Sequence, residues 1–539
     1  TLLASSAASD VYKRQFQHSL RNLKLFNCAQ LYRLRLIVMN IVSPTPDTFA
    51  VKDAWKPLPM GFWEMETAQH FLRRVGFSAT PEAVTSVLRN SPGAYIETAF
   101  KSGAILPRSK DLKKFTDEAH TRYQKMYKVK DAEEKRELRR NLQREENELF
   151  RSFAMDWFYY AREPENSARE KLVMFLQDIF VVEQQKIKDP QQLHAMQQML
   201  RDGTTLSYPD LCKRVSREPA MIRYLDLDKN TAHKPNENFA RELFELFILG
   251  EGNYTEDDIK EASRAFTGYR VMRRYKYYQA KKLQDQTDKT VFGETGNWNG
   301  DDVIDLTFKQ PAARTFLIRE MIKFYLTEEA IDEAYIEALG EQWANHQFSL
   351  PYLTKTFFES RLFFHPAYRG NMVKSPVHFH IGLCQDLRLD VAPFQSRVLR
   401  GMATMGQAFY NPPNVRGWLY GEHWINSTTI SARRQLVDYI FANLNEKGLN
   451  GNEKRALSAA REAGRGNFLV TNERLKQVLS LASDDLAKHF TTYFITEPSR
   501  ANYSKSLKKI IGDTSSDGAA RRVRSAIIAL LQSPAYNLS

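Results

Sequence analysis

Residues 235–250, PNENFARELFELFILG, constrain this chain more than any other stretch. At roughly 100° per residue, Glu237, Asn238, Arg241, Glu242 and Glu245 fall within an arc of roughly 140° on a helix. Phe239, Leu243, Phe244, Leu246, Phe247, Ile248 and Leu249 cover the remainder. A helix that is apolar on three sides has to be embedded in a larger body, so its polar stripe faces either a cleft or other buried polar groups. Glu237–Arg241 and Arg241–Glu245 stand at i,i+4 spacing, which is expected to offset part of the cost of burying charge. One reading makes Glu242 and Glu245 a cleft-lining acid–base pair or metal ligands. The other makes the stripe an ion-pair network tying this helix to its neighbours, and it needs fewer assumptions.

The rest of the sequence repeats the helical pattern. Residues 66–75 carry helical apolar spacing up to Gly76, and Ser78 to Pro81 open the next helix. Residues 110–160 read as a long charged helix or helical hairpin with a narrow seam at Leu138, Leu142 and Leu149. A buried helix is expected over 168–182, and further helices over 190–201, 208–224, 311–326, 350–364, 376–387, 395–408 and 521–531. Thr255 to Asp258 form a capping box for another. Tyr269, Val271, Tyr275, Tyr277 and Val291 favour strands, so a small β-hairpin is expected near 268–292. The fold class is therefore mainly α: a large multi-helix globular array with one small hairpin.

The 539 residues exceed one comfortable hydrophobic core. We expect a lead-in at 1–38, an extended segment at 39–62, an N-terminal helical subdomain at 63–230 and a C-terminal one at 231–539. Residues 10–15, DVYKRQ, back-translate to a transposon end used in shotgun sequencing libraries, so residues 1–15 are expected to be translated adapter and Met39 a plausible initiator. With 42% hydrophobic residues the chain has enough apolar surface to fold. The net charge of +13 is finely mixed, as the sign alternation across residues 113–151 shows. No basic stripe tracks one face, so a nucleic-acid partner is not expected. Cys28, Cys212 and Cys384 are isolated and make no disulfide framework or thiolate zinc site. The most apolar run, 31–42, is broken by Arg33 and Arg35, so no membrane span is expected.

Two further clusters carry chemistry. Asp301, Asp302 and Asp305 share one helical turn, and this DDxxD spacing could hold a divalent cation, although helix capping explains Asp301 and Asp302 without one. Residues 410–429 gather Asn414, Arg416, Trp418, Tyr420, His423, Trp424 and Asn426 in a Pro- and Gly-rich loop. Flat aromatics beside amides and an arginine suit a carbohydrate- or peptide-binding surface, or else a packed lid. His378 and His380 form an HxH pair that would point apart on a helix. No nucleophile elbow, phosphate loop or zinc-protease motif is present.

These segments, in this order, resemble the bacterial family catalogued as domain of unknown function 1800. The resemblance is carried by 68–82 (AQHFLRRVGFSATPE), 235–269 (PNENFARELFELFILGEGNYTEDDIKEASRAFTGY), 289–305 (KTVFGETGNWNGDDVID), VKSPVHF at 373–379, GQAFYNPPNVRGW at 406–418, WINS at 424–427 and SPAY at 533–536. It implies a large helical bacterial protein, with many exported relatives and a gene that often neighbours one for a phosphatase/sulfatase-like protein. It supplies no reaction. Relatives usually carry FWHxHF where this chain has Phe175-Leu176-Gln177-Asp178-Ile179-Phe180, and HD where it has Gln284-Asp285.

The leading expectation is a binding protein for a glycan or a protein partner, such as the product of that neighbouring gene. It would use the aromatic loop together with Asn236, Asn238 and Arg241. The alternative is a hydrolase-like enzyme, metal-assisted or carboxylate-based, with Glu242, Glu245 and Asp285 as acid, base or ligands, altered here by loss of the family histidines. A third reading is a structural helical scaffold.

Overall fold

The computed structural model describes residues 50–539, apart from 102, 497 and 498. The adapter-like segment, Met39 and Cys28 lie outside the described residues.

The chain is mainly helical. The elements that position the site are α1 (Met65–Val75), α2 (Lys110–Lys128), α3 (Ala132–Arg162), α4 (Pro164–Ile179), α5 (Pro190–Gly203), α6 (Asn238–Glu242) and α7 (Glu256–Ala265). They are followed by α8 (Gly300–Thr307), α9 (Phe316–Tyr325), α10 (Glu333–Asn345), α11 (Pro376–Asp386), α12 (Ser427–Ile440) and α13 (Ala519–Leu531). The charged stretch at 110–160 is a helical hairpin, α2 and α3, opened by side-chain caps from Ser109 and Asp131. Instead of one β-hairpin there are two. β1 (Tyr269–Met272) pairs antiparallel with β2 (Lys276–Gln279), and β3 (Lys289–Val291) with β4 (Glu294–Gly296). The helix expected over 208–224 is split into Tyr208–Arg217 and Pro219–Tyr224, because Pro219 has no N–H to continue the first ladder.

One apolar core runs from Ala54 to Tyr536 and includes both sides of residue 230. A smaller one, built on Leu112, Phe115, Met126, Leu142 and Leu149, lies inside the α2–α3 hairpin. Helix α4 is the axis of the main core: every side chain from Ser167 to Ile179 is buried. Two of its charged members have several partners each. Glu170 accepts from Arg201 of α5 at 2.8 Å and from the Trp157 indole N–H of α3 at 2.9 Å. Lys171 donates to the carbonyls of Arg73 and Gly76 at 3.0 and 2.8 Å. No helix among the described residues is long and apolar enough to cross a membrane.

Candidate functional site

The embedded segment at 235–250 is less regular than its spacing implies. Asn236 accepts from the Asn238 N–H at 3.0 Å and donates its own N–H to Asn230, also at 3.0 Å. These two asparagines therefore shape the entry to α6. From Leu243 to Ile248 the chain is π-helical, and the N–H groups of Leu249 and Gly250 both reach the carbonyl of Phe244. This wider turn rotates Glu245 out of register with Arg241. Of the two expected i,i+4 pairs, Glu237–Arg241 forms at 3.1 Å, whereas Arg241 takes its second partner from Glu256 of α7 at 2.8 Å. Glu245 instead accepts from the Tyr254 hydroxyl at 2.6 Å and from Arg416 at 2.5 Å.

Arg416 belongs to the Pro- and Gly-rich loop, and its contact with Glu245 marks the edge of a cleft of about 1050 Å³. The loop residues Arg416, Trp418, Tyr420 and His423 line it together with Asp178 at the end of α4 and Glu245 of the π turn. The opposite wall comes from α9, α10 and the segment leading into them, and contributes Arg319, Glu320, Glu328, Glu333, Glu337 and Glu341. Eight carboxylic side chains line the cleft against four arginines and lysines. The cleft is therefore acidic, although the whole chain carries a net +13. Glu333, Glu337 and Glu341 form a row at i,i+4 spacing on α10. Glu333 pairs with Arg319, while among the described residues Glu337 and Glu341 have no ion-pair partner.

Two carboxyl groups sit directly beneath the loop backbone. Asp178 accepts from the Trp418 N–H at 2.9 Å and from the Tyr420 hydroxyl. Burial pushes its carboxyl up to about 8, so it is protonated at neutral pH. Glu328 is also raised by burial and accepts from the backbone N–H of Glu422. Gly417 and Gly421 make this approach feasible. Both have positive φ, and a Cβ at either position would collide with the carboxylate of Asp178 or Glu328 respectively.

The remaining expected site residues are placed elsewhere. Glu242 is not among the cleft-lining residues; its carboxyl is raised by burial and then by the charge of Glu245. Asp285 is held by Arg264 at 2.8 Å. Hydrogen bonds from Arg264 and Thr287 outweigh the upward push of burial and keep its carboxyl at about 2. Asn414 accepts from the Arg416 N–H at 2.8 Å, and Asn426 caps α12. Trp424 is buried and only 5% exposed, so it anchors the loop and presents no face to solvent. Trp418 is half-buried in the cleft wall, and its indole N–H has no hydrogen-bond partner.

The three aspartates each have a protein partner. Asp301 pairs with Arg217, Asp305 with Lys213 at 2.6 Å, and Asp302 accepts from the Asn299 N–H at 2.9 Å in a capping box. Among the described residues no group of three His, Cys, Asp or Glu side chains is arranged to hold a metal. His378 and His380 do point apart on α11, where His378 donates to the Phe77 carbonyl at 3.1 Å and His380 to that of Pro376 at 2.7 Å.

Sequence reasoning missed the α9–α10 wall. Its signal was present: in residues 333–341, EAYIEALGE, glutamates recur every fourth residue beside the buried Tyr335, Ile336 and Leu339. Asp178 was equally visible as the one acid in a long apolar run. Of the positions where relatives usually carry histidine, Ile179 lines the cleft, Gln177 is buried in α4, and Gln284 is not among the lining residues.

Fold and site together define a mainly helical protein with an acidic cleft between a π-helical turn, a glutamate-striped helix and an aromatic loop. The chain belongs to the family described as a protein of unknown function (DUF1800), whose model matches residues 70–538. No curated protein and no solved structure matches it.

Proposed function

We propose that this protein binds a polar, hydroxyl-rich ligand of glycan type in the acidic cleft. The observation that carries the reading is the convergence of loop and helices. Arg416, Trp418, Tyr420 and His423 meet Glu245 and the unpaired Glu337 and Glu341 around a volume large enough for several sugar rings. Carboxylates accept hydrogen bonds from hydroxyl groups, and the half-buried Trp418 ring offers an apolar face. A glycan array probed with the whole protein tests this. Wild type is expected to retain a discrete set of glycans, and both Trp418→Ala and the double variant Glu337→Gln/Glu341→Gln to lose them. An empty array, or one unchanged by these variants, removes the proposal.

One observation favours a second reading, a carboxylate-based hydrolase. Asp178 is protonated near neutral pH, and it shares the cleft with Glu245, which is bound to a cation. A carboxyl held protonated can act as a general acid towards a leaving group. Release of sugar from any retained glycan, abolished in Asp178→Asn and in Glu245→Gln, would select this reading; retention without turnover would select simple binding.

A further inference from the structure

A second cavity, of about 510 Å³, lies where the core of the α2–α3 hairpin meets the main body. Its lining is opposite in sign to the first. Lys135, Arg136, Arg139, Lys188, Arg223 and Arg274 face it, and Glu146 is the only carboxylate. Glu146 lies 3.8 Å from Arg274. Burial raises its carboxyl to about 7, and it accepts from the Tyr123 hydroxyl at 2.5 Å. Arg274 is neutralised by Asp189, at 3.0 and 2.7 Å. The other five cations have no ion-pair partner among the described residues.

Of those five cations Arg136, Arg139 and Lys188 are exposed, and Lys135 and Arg223 are half-buried. On α3 Arg139 stands three and four positions from Arg136 and Lys135 and has no carboxylate at that spacing, whereas Lys135 has Asp131 and Arg136 has Glu133. Arg223 comes from the main body. It is half-buried, and its guanidinium is destabilised first by burial and then by the charge of Arg274. Lys188 and Arg274 both hold left-handed backbone conformations, with φ of 60° and 74°, that cost energy in a residue with a Cβ. The floor is apolar and aromatic: Met126, Leu142 and Ile187 lie beneath Tyr123 and Tyr127. The Tyr123 ring already stacks on Arg274 at 3.8 Å.

We infer that this cavity is a binding site for a small phosphate- or sulfate-bearing molecule with an apolar or aromatic body. The guanidinium groups of Arg223 and Arg139 take the oxyanion, with Lys188 and Lys135 as point charges around it, and the tyrosines cover the body of the ligand. A concave cavity of this size suits a small molecule better than a nucleic-acid backbone, which needs a track of cations along a surface.

Titration calorimetry on the whole chain tests the inference, with inorganic pyrophosphate, sodium sulfate and ATP as probes. Saturable binding of at least one probe is expected, weakened by about tenfold or more in Arg223→Gln. The phosphate and sulfate arms identify which oxyanion is preferred, and tighter binding of ATP than of pyrophosphate supports the aromatic cover. Lys188→Gln, at an exposed position, is the second variant should Arg223→Gln fail to fold. Absence of saturable binding for all three probes overturns the inference, as does binding that neither variant changes. Tighter binding of oligothymidylate, increasing with length, also overturns it in favour of a nucleic-acid surface. The acidic-cleft variant Glu337→Gln is expected to leave anion binding unchanged, which separates this site from the one proposed for glycans.

Discussion

The Tyr420 hydroxyl donates to the Asp178 carboxyl across 242 positions of sequence. This contact closes the loop at 410–429 over the end of the most deeply buried helix. With the Trp418 N–H on the other oxygen of the same carboxyl, it fixes where the cleft begins.

Asp178 gives the protein a pH signature. In the unfolded chain an aspartate ionises near about 3.9. In the fold burial raises it to about 8. Between those values only the folded state holds the proton, so the stability contributed by this group is complete at the acid end and falls as pH rises towards 8. Asp178→Asn is therefore expected to flatten the decline of Tm between pH 5 and 8, measured by thermal melts across that range. Parallel curves for variant and wild type would mean that the carboxyl is not held protonated.

The two loop tryptophans are expected to separate stability from binding. Trp424 is buried against the loop and its surroundings, so Trp424→Ala leaves a cavity and costs about 3–5 kcal/mol in urea unfolding. Trp418 is half-buried, and Trp418→Ala is expected to cost clearly less while removing glycan retention. A reversed order would move the ligand-facing role to Trp424.

Glu170 and Arg201 form a fully buried ion pair, 0% and 1% exposed at the side chain, and Trp157 adds a third partner. Removing one member leaves an uncompensated charge in the core. Glu170→Ala is expected to lower unfolding free energy by about 3–5 kcal/mol. By contrast, Arg416 is half-exposed where it meets Glu245 and Glu251, and solvent screens both contacts. Arg416→Ala is expected to cost under about 1 kcal/mol. Comparable losses for the two variants would contradict this division.

Gly417 and Gly421 are expected to tolerate no side chain. Each combines a positive φ with a carboxylate where a Cβ would stand. Gly421→Ala is expected to shift the loop, read as faster hydrogen exchange at 418–424, whereas Gly451→Ala, where a Cβ meets open space, leaves exchange there unchanged.

The amino-acid sequence by itself determined the helical class, the family, and several element boundaries. These depend on local rules: Asp131 and Ser109 cap the helices that follow them, Pro219 interrupts one, and apolar spacing marks the buried faces of α1 and α4. It also marked the segments that supply Glu245, Arg416, Trp418, Tyr420 and His423 to one cleft. Only the tertiary structure decided the partners. Arg241 and Glu245 stand at pairing distance on an ideal α-helix, but a π turn separates them, because the backbone answers to packing around Phe244 and Phe247 as well as to local spacing. Asp285 and the aspartates at 301–305 look like chemical groups in one dimension and are taken up by Arg264, Arg217, Lys213 and a helix cap in three. The α9–α10 wall is local in sequence, but its facing the loop at 410–429, and the cationic cavity as a whole, bring together segments far apart in the chain. Burial and charge at such sites depend on what folds against them, and no local pattern carries that information.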